Sequence, residues 1–124
     1  MNKIQLSKAE EELMDHLWKL KKAVMKDLVN AYKDPKPAVT TVATLLKRMK
    51  TKEYVDYEME GRMRRYYPLI TKTEYFSVHF KNVISKFFNN DTRQFASFFT
   101  NEIELSKEEL EDLKKNIDDR LNEE

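Results

Sequence analysis

The sequence predicts a mainly α-helical fold with one small β-hairpin, on three observations. Apolar residues recur at helical spacing through most of the 124 residues, and the only glycine separates two short alternating segments. Proline is confined to positions 35, 37 and 68, where it ends elements rather than interrupting them.

The elements follow in order. Ser7-x-x-Glu10 is a capping box: the Ser7 hydroxyl accepts from the Glu10 amide and the Glu10 carboxylate accepts from the Ser7 amide. It starts a helix with Leu13, Met14, Leu17, Trp18 and Leu20 on one face. A shorter helical segment over 23–32 turns Leu28, Val29 and Tyr32 inward and stops at Asp34-Pro35-Lys36-Pro37, because proline disfavours helix in the residue before it. A third helix over 38–51 has Val42, Leu45, Leu46 and Met49 as its apolar stripe. Thr40, Thr41, Ala43, Thr44, Lys47 and Arg48 turn away from that stripe or flank it.

Segments 54–60 and 62–68 alternate with period two, and Gly61 between them can take positive φ at little cost, so together they form a hairpin. Thr71 or Thr73 caps a helix running to about Phe88, and Asn89-Asn-Asp-Thr92 breaks it. A short aromatic segment, Phe95–Phe99, follows. A second capping box, Ser106-x-x-Glu109, opens a last helix with Leu110, Leu113, Ile117 and Leu121 on a narrow stripe.

Composition narrows the class. With 40% hydrophobic and 36% charged residues the chain is globular, yet polar for a lone monomer of this size. The absence of cysteine excludes disulfides and thiolate metal sites, and no apolar run approaches the ~20 residues that cross a bilayer, so no membrane insertion is expected. The opening residues lack a signal peptide's apolar region, and a cytoplasmic protein is expected. Net charge is only +1, but residues 1–70 hold 15 basic and 10 acidic residues while 71–124 hold 8 and 12. A basic front half points to a polyanion, and an acidic rear half is kept off it by the same field.

Helix, proline turn, helix and basic hairpin together define a winged helix-turn-helix. Threonine is a poor choice for a merely solvated helix surface, so Thr40, Thr41 and Thr44 on an outward face argue for recognition rather than solvation. Their methyls suit thymine methyls and their hydroxyls suit phosphates. Arg62, Arg64 and Arg65, with Lys50 and Lys52, concentrate charge at the hairpin for phosphate or minor-groove contact. The expected interface with double-stranded DNA is therefore Thr40, Thr41, Ala43, Thr44, Lys47, Arg48, Arg62 and Arg64. His16 and His79 lack neighbours at metal-ligand spacing, and there is no nucleophile elbow or glycine-rich phosphate cradle. Neither a metal, a cofactor nor an enzymatic activity is expected.

The rear half reads differently. Phe80, Phe87, Phe95, Phe99, Leu110, Leu113 and Ile117 sit on helices too short to bury them within one chain, which suggests a dimerisation surface. The expected organisation is a winged-helix DNA-binding domain over 1–70 and a helical dimerisation region over 71–124.

Leu6-Ser-Lys-Ala-Glu10, Met14, Leu17-Trp18, the run 38–44 with Leu46 and Arg48-Met49, Gly61-Arg62 with Tyr66 and Pro68, and Leu105-Ser-Lys-Glu-Glu-Leu110 occur in an order that resembles the penicillinase-repressor family, of BlaI, MecI and CopY type. The resemblance spans almost the whole chain. It implies a homodimeric winged-helix repressor on a palindromic operator, released when a membrane sensor metallopeptidase triggers cleavage of the C-terminal region. It also implies that Thr40, Ala43, Thr44 and Lys47 face the groove, Thr41 and Arg48 lie near phosphates, and Arg62 and Arg64 belong to the wing.

The family's copper branch ends in a cysteine cluster that this chain lacks. In the antibiotic-responsive branch the cut falls at an Asn–Phe bond; the matching pair here is Phe98-Phe99, and Glu53 stands where a glycine is common. Two other readings stay open from the residues: a winged-helix regulator sensing a small apolar ligand among the C-terminal aromatics, and a winged-helix module for protein interaction alone.

Overall fold

The computed structural model describes residues 5–123, and its element order is α1 (Lys8–Leu20), β1 (Ala23–Val24), α2 (Met25–Ala31), α3 (Val39–Thr51), β2 (Val55–Glu60), β3 (Met63–Pro68), α4 (Lys72–Phe88), α5 (Thr92–Glu102) and α6 (Lys107–Asn122). It resolves into two compact units, one up to Phe80 and one from Lys81.

In the first unit, α1 begins at the Ser7 capping box, with Ser7 N–H donating to Glu10 Oε1 at 2.8 Å and Glu10 N–H to Ser7 Oγ at 3.2 Å. The core consists of Leu6 just before the α1 cap, Leu13, Met14 and Leu17 from α1, Ala23 from β1, Leu28 from α2, Val42, Leu45, Leu46 and Met49 from α3, and Tyr54, Val55, Tyr66 and Tyr75. Each fully buried Leu or Met side chain contributes about 1.5–3 kcal/mol, and this one cluster holds α3 from behind. Trp18 lies at the edge of the core and donates from Nε1 to the Ile70 carbonyl at 2.9 Å, fixing the chain that leaves the hairpin. Leu20 departs from expectation: it is 41% exposed. It occupies the last turn of α1 and lines a surface groove with His16 and Tyr32 instead of reaching the core.

The segment expected to be helical from 23 begins instead as a strand. Ala23 and Val24 pair with Tyr66 and Arg65, making β1 the third strand of an antiparallel sheet ordered β1-β3-β2. The chain then turns into α2, whose last carbonyls are met by Lys36 Nζ, 3.2 Å from Asn30 O and 2.6 Å from Tyr32 O. A cation there also complements the negative end of the helix.

α4 starts at a third reciprocal cap, between Thr71 and Glu74. Tyr75 is buried and sets its ring against Trp18 and Tyr54.

The second unit contains no buried residue among those described. Asn89 and Asn90 both take positive φ after α4, and Asp91 then caps α5 by accepting from the amides of Arg93 and Gln94. The aromatic segment is thus part of a full helix, with Phe95 and Phe98 against Phe88 at ring separations of 5.5 and 5.7 Å. α6 starts at the Ser106–Glu109 capping box. No helix of the described residues is long and apolar enough to cross a membrane.

Candidate nucleic-acid interface

α3 is a helix because its apolar positions fall three and four apart and bury as one stripe, while nothing inside it breaks the backbone ladder. Thr40, Thr41, Ala43, Thr44, Lys47 and Arg48 are all exposed. Ala38, at the N-cap, supplies no side-chain bond to the first turn. The Thr44 hydroxyl donates to the Thr40 carbonyl at 2.9 Å, so its proton is used within the helix. What Thr44 can present outward is a methyl group and an oxygen lone pair.

The far end of α3 is anchored from within. Lys52, the C-cap residue, places Nζ 2.7 Å from Glu10 Oε1, and Glu10 is 1% exposed. Burial pushes the Glu10 carboxyl up. The Lys52 hydrogen bond, the Ser7 amide and hydroxyl and the Lys52 charge outweigh it and hold the group below its ordinary value. Glu53 then reverses the chain at φ +66°, in the left-handed region. The residue read as standing in a glycine position therefore occupies a conformation that favours glycine.

Beyond that turn, β2 and β3 form the wing, with Val55 opposite Pro68, Tyr57 opposite Tyr66 and Glu60 opposite Met63. Gly61 takes φ +63° at the first of two turn residues, and Arg62 is not in the positive region, the pattern of a type II′ turn. Arg62 and Arg64 are both exposed. The Arg64 guanidinium lies 4.5 Å from the centroid of the Tyr57 ring, a cation–π contact that steadies it without neutralising it.

The basic residues separate into two sets. Lys52 is paired with Glu10, Arg65 with Glu60, and Lys50 with Asp56 at 3.1 Å. The Asp56 carboxyl is held below its usual value by the Tyr57 amide and then by Lys50. These three cations of the expected basic run are engaged inside the fold. Lys47, Arg48, Arg62 and Arg64 form no ion pair with a carboxylate among the described residues.

Sequence reasoning missed Tyr57 as the support for Arg64 and Glu10 as the anchor of α3. The Tyr57 contact depends on hairpin register. The Glu10–Lys52 pair spans 42 positions, which no local pattern reveals.

In the second unit, Phe87 is 69% and Ile117 51% exposed, and Leu110 is also exposed; Phe95, Phe99 and Leu113 are half-buried. Phe80, at the end of the first unit, is exposed. The Phe98-Phe99 bond lies inside α5. Among the described residues no group of His, Asp or Glu side chains is placed to hold a metal.

A helix pair joined by a short turn, with the second helix exposed beside a three-stranded sheet whose hairpin projects basic residues, is the winged-helix class. The chain belongs to the penicillinase repressor family, which matches residues 6–119. It is 27% identical over 124 residues to the penicillinase repressor of Bacillus licheniformis, covering 98% of this chain and 97% of that one. To the methicillin resistance regulatory protein MecI of Staphylococcus aureus strain N315 it is 25% identical over 111 residues, 89% of this chain and 90% of that one. Among solved structures, the DNA-binding domain of the repressor BlaI superposes with a TM-score of 0.52 at 30% identity, over 60% of this chain and 94% of that domain.

Proposed function

We propose that this protein is a sequence-specific DNA-binding transcriptional repressor that acts as a homodimer on a two-fold symmetric operator, without enzymatic activity. The observation that carries the reading is the outward side of α3. Small and hydroxyl-bearing groups at Thr40, Thr41, Ala43 and Thr44 adjoin two cations, Lys47 and Arg48, that no carboxylate of the described residues neutralises. In this reading α3 enters the major groove, where Thr44 meets a thymine methyl and Lys47 a base acceptor, while Thr41 and Arg48 meet phosphates. Arg62 and Arg64 follow the adjoining backbone and set register rather than sequence preference. Membership of the family and the likeness to the BlaI domain support the same assignment.

The dimer is assigned to the region 71–124, through Phe80, Phe87, Phe95, Phe99, Leu110, Leu113 and Ile117, and the winged-helix domain to 1–70. From Lys81 onward no described residue is buried, so those helices gain little from packing on one another, and a second copy supplies the missing apolar cover. Derepression is assigned to a membrane sensor metallopeptidase acting on this cytoplasmic protein, with cleavage at Phe98-Phe99. That bond is helical, so α5 must open before a peptidase can take it as an extended chain.

Selection of duplexes from a random pool, followed by gel-shift titration, tests the core of this reading. A preferred palindromic sequence is expected, and Lys47→Ala and Thr44→Ala each lower affinity for it roughly tenfold while leaving random duplex nearly unchanged. Equal affinity for selected and random duplexes, indifferent to both substitutions, refutes it.

A further inference from the structure

Sulfur is distributed unevenly over this chain. Of its six methionines, Met14 and Met49 are buried and Met25 is half-buried, whereas Met59 and Met63 are 58% and 55% exposed. These two flank the wing turn, on β2 and β3. The chain has no cysteine, so among the described residues the readily accessible sulfur is confined to the wing.

We propose that Met59 and Met63 form an oxidation site at which hydroperoxides or hypochlorous acid lower operator affinity; the proposal rests on the DNA-binding reading above. With hydrogen peroxide, the thioether sulfur attacks one peroxide oxygen and the O–O bond breaks. That oxygen stays on sulfur as the sulfoxide, and the other leaves as water after proton transfer. Sulfur loses two electrons and the peroxide gains them. The change replaces an apolar, flexible side chain with a polar one, and dedicated reductases reverse it.

The register of the wing gives the change a consequence. Met59 stands directly opposite Arg64, on the same sheet face as Tyr57, whose ring supports the Arg64 guanidinium. Opposite side chains in an antiparallel pair lie close enough to interact, so a sulfoxide oxygen at Met59 can accept a hydrogen bond from Arg64 and divert it from a phosphate. On the other face Met63 stands opposite Glu60, which pairs with Arg65 two residues further along β3. A sulfoxide there competes with Glu60 for that guanidinium and loosens the tip. Because both residues are exposed and outside the core cluster, oxidation leaves the core intact, and the change stays local and reversible. Oxidation of Met14 or Met49 would instead place a polar group inside the core.

The test uses the full-length protein on its selected operator. The protein is exposed to graded hydrogen peroxide or hypochlorous acid, the modified residues are located by mass spectrometry, and affinity is measured before treatment, after it, and after methionine sulfoxide reductase. Met59 and Met63 should oxidise before Met14 and Met49, with an unchanged circular dichroism spectrum. Affinity should fall roughly three- to tenfold, as when one phosphate per half-site goes unneutralised, and return on reduction. The double variant M59L/M63L should bind normally before treatment and keep its affinity after it.

Wing oxidation with unchanged affinity overturns the proposal, as does an equal loss in the double leucine variant or prior oxidation of the buried methionines. Those outcomes leave the DNA-binding reading standing. A reduced protein that prefers no duplex takes both down.

Discussion

Removing the ammonium from Lys52 should destabilise the winged-helix unit by an amount that depends on pH, with a sign fixed by the burial of Glu10. In the native protein Lys52 Nζ is 2.7 Å from a carboxylate that is 1% exposed, while the Lys52 side chain itself retains 23% exposure. Breaking a buried pair from one side costs about 3–5 kcal/mol. Because this pair reaches solvent at the lysine end, screening lowers the expected figure for Lys52→Met to about 2–3 kcal/mol at neutral pH.

The pH dependence separates this mechanism from a simple loss of packing. Native Glu10 has a depressed folded value, so its stabilisation is present above the unfolded value of about 4.3 and is lost as pH falls through the folded one. In Lys52→Met both Lys52 contributions go while burial, the largest single influence, stays opposed only by Ser7, so the folded value should rise above the unfolded one. The variant is then penalised increasingly as pH rises beyond about 4.3, since the folded chain must ionise a buried carboxyl or hold a proton that the unfolded chain has released. Urea denaturation at about pH 5 and about pH 7.5 should show a larger deficit at the higher pH. Adding Glu10→Gln to Lys52→Met should recover part of that deficit, because the amide still accepts from the Ser7 N–H and carries no charge. An equal deficit at both pH values, with no recovery in the double variant, refutes the reasoning.

Three further outcomes follow from the same structure. Arg62→Ala and Arg64→Ala should weaken binding to selected and random duplexes alike, each lowering the log–log salt slope by roughly one unit; unchanged slopes would show that the wing points away from DNA. Glu53→Gly should raise stability by roughly 0.5–1 kcal/mol through relief of its positive φ, less whatever Glu53's own interactions contribute, whereas Glu53→Ala keeps a Cβ there and should not. Equal stability of the glycine and alanine variants in thermal melts would remove strain as the explanation. The intact protein should sediment as a dimer at tens of micromolar, and Ile117→Lys should shift it to monomer and reduce operator affinity by orders of magnitude through loss of effective concentration; a monomeric native protein refutes the dimer.

What was legible in the sequence was local. The two capping boxes at Ser7 and Ser106, the apolar stripe of α3 and the turn at Gly61 each depend on residues within a few positions of one another, and the structure contains all four. β1 was not legible, because two residues offer no alternation and Ala23-Val24 become a strand only by pairing with Tyr66 and Arg65. Leu20 obeyed the helical period of α1 yet stayed exposed, since periodicity says which side a residue faces and not whether anything covers it there. The helical extent of α5 was hidden by its aromatic cluster, although Asp91 at its N-cap was a readable signal.

The candidate interface shows the same limit in its charges, and there the limit bears on function. A net charge of +1 says little, and counting the basic residues of the front half overstates what is available to a polyanion. Lys50, Lys52 and Arg65 all belong to the basic run, but each is held by a carboxylate that also shapes the fold: Asp56 at the start of β2, Glu10 beneath α3 and Glu60 at the hairpin tip. Those pairs fix where α3 ends and how the hairpin leaves it. The cations without such partners among the described residues, Lys47 and Arg48 on the helix and Arg62 and Arg64 on the wing, are thereby presented from a supported frame. Neutralising a phosphate with any of these four requires no ion pair among the described residues to be broken first. Recruiting Lys52 would require uncovering Glu10, at a cost that an exposed phosphate contact does not recover.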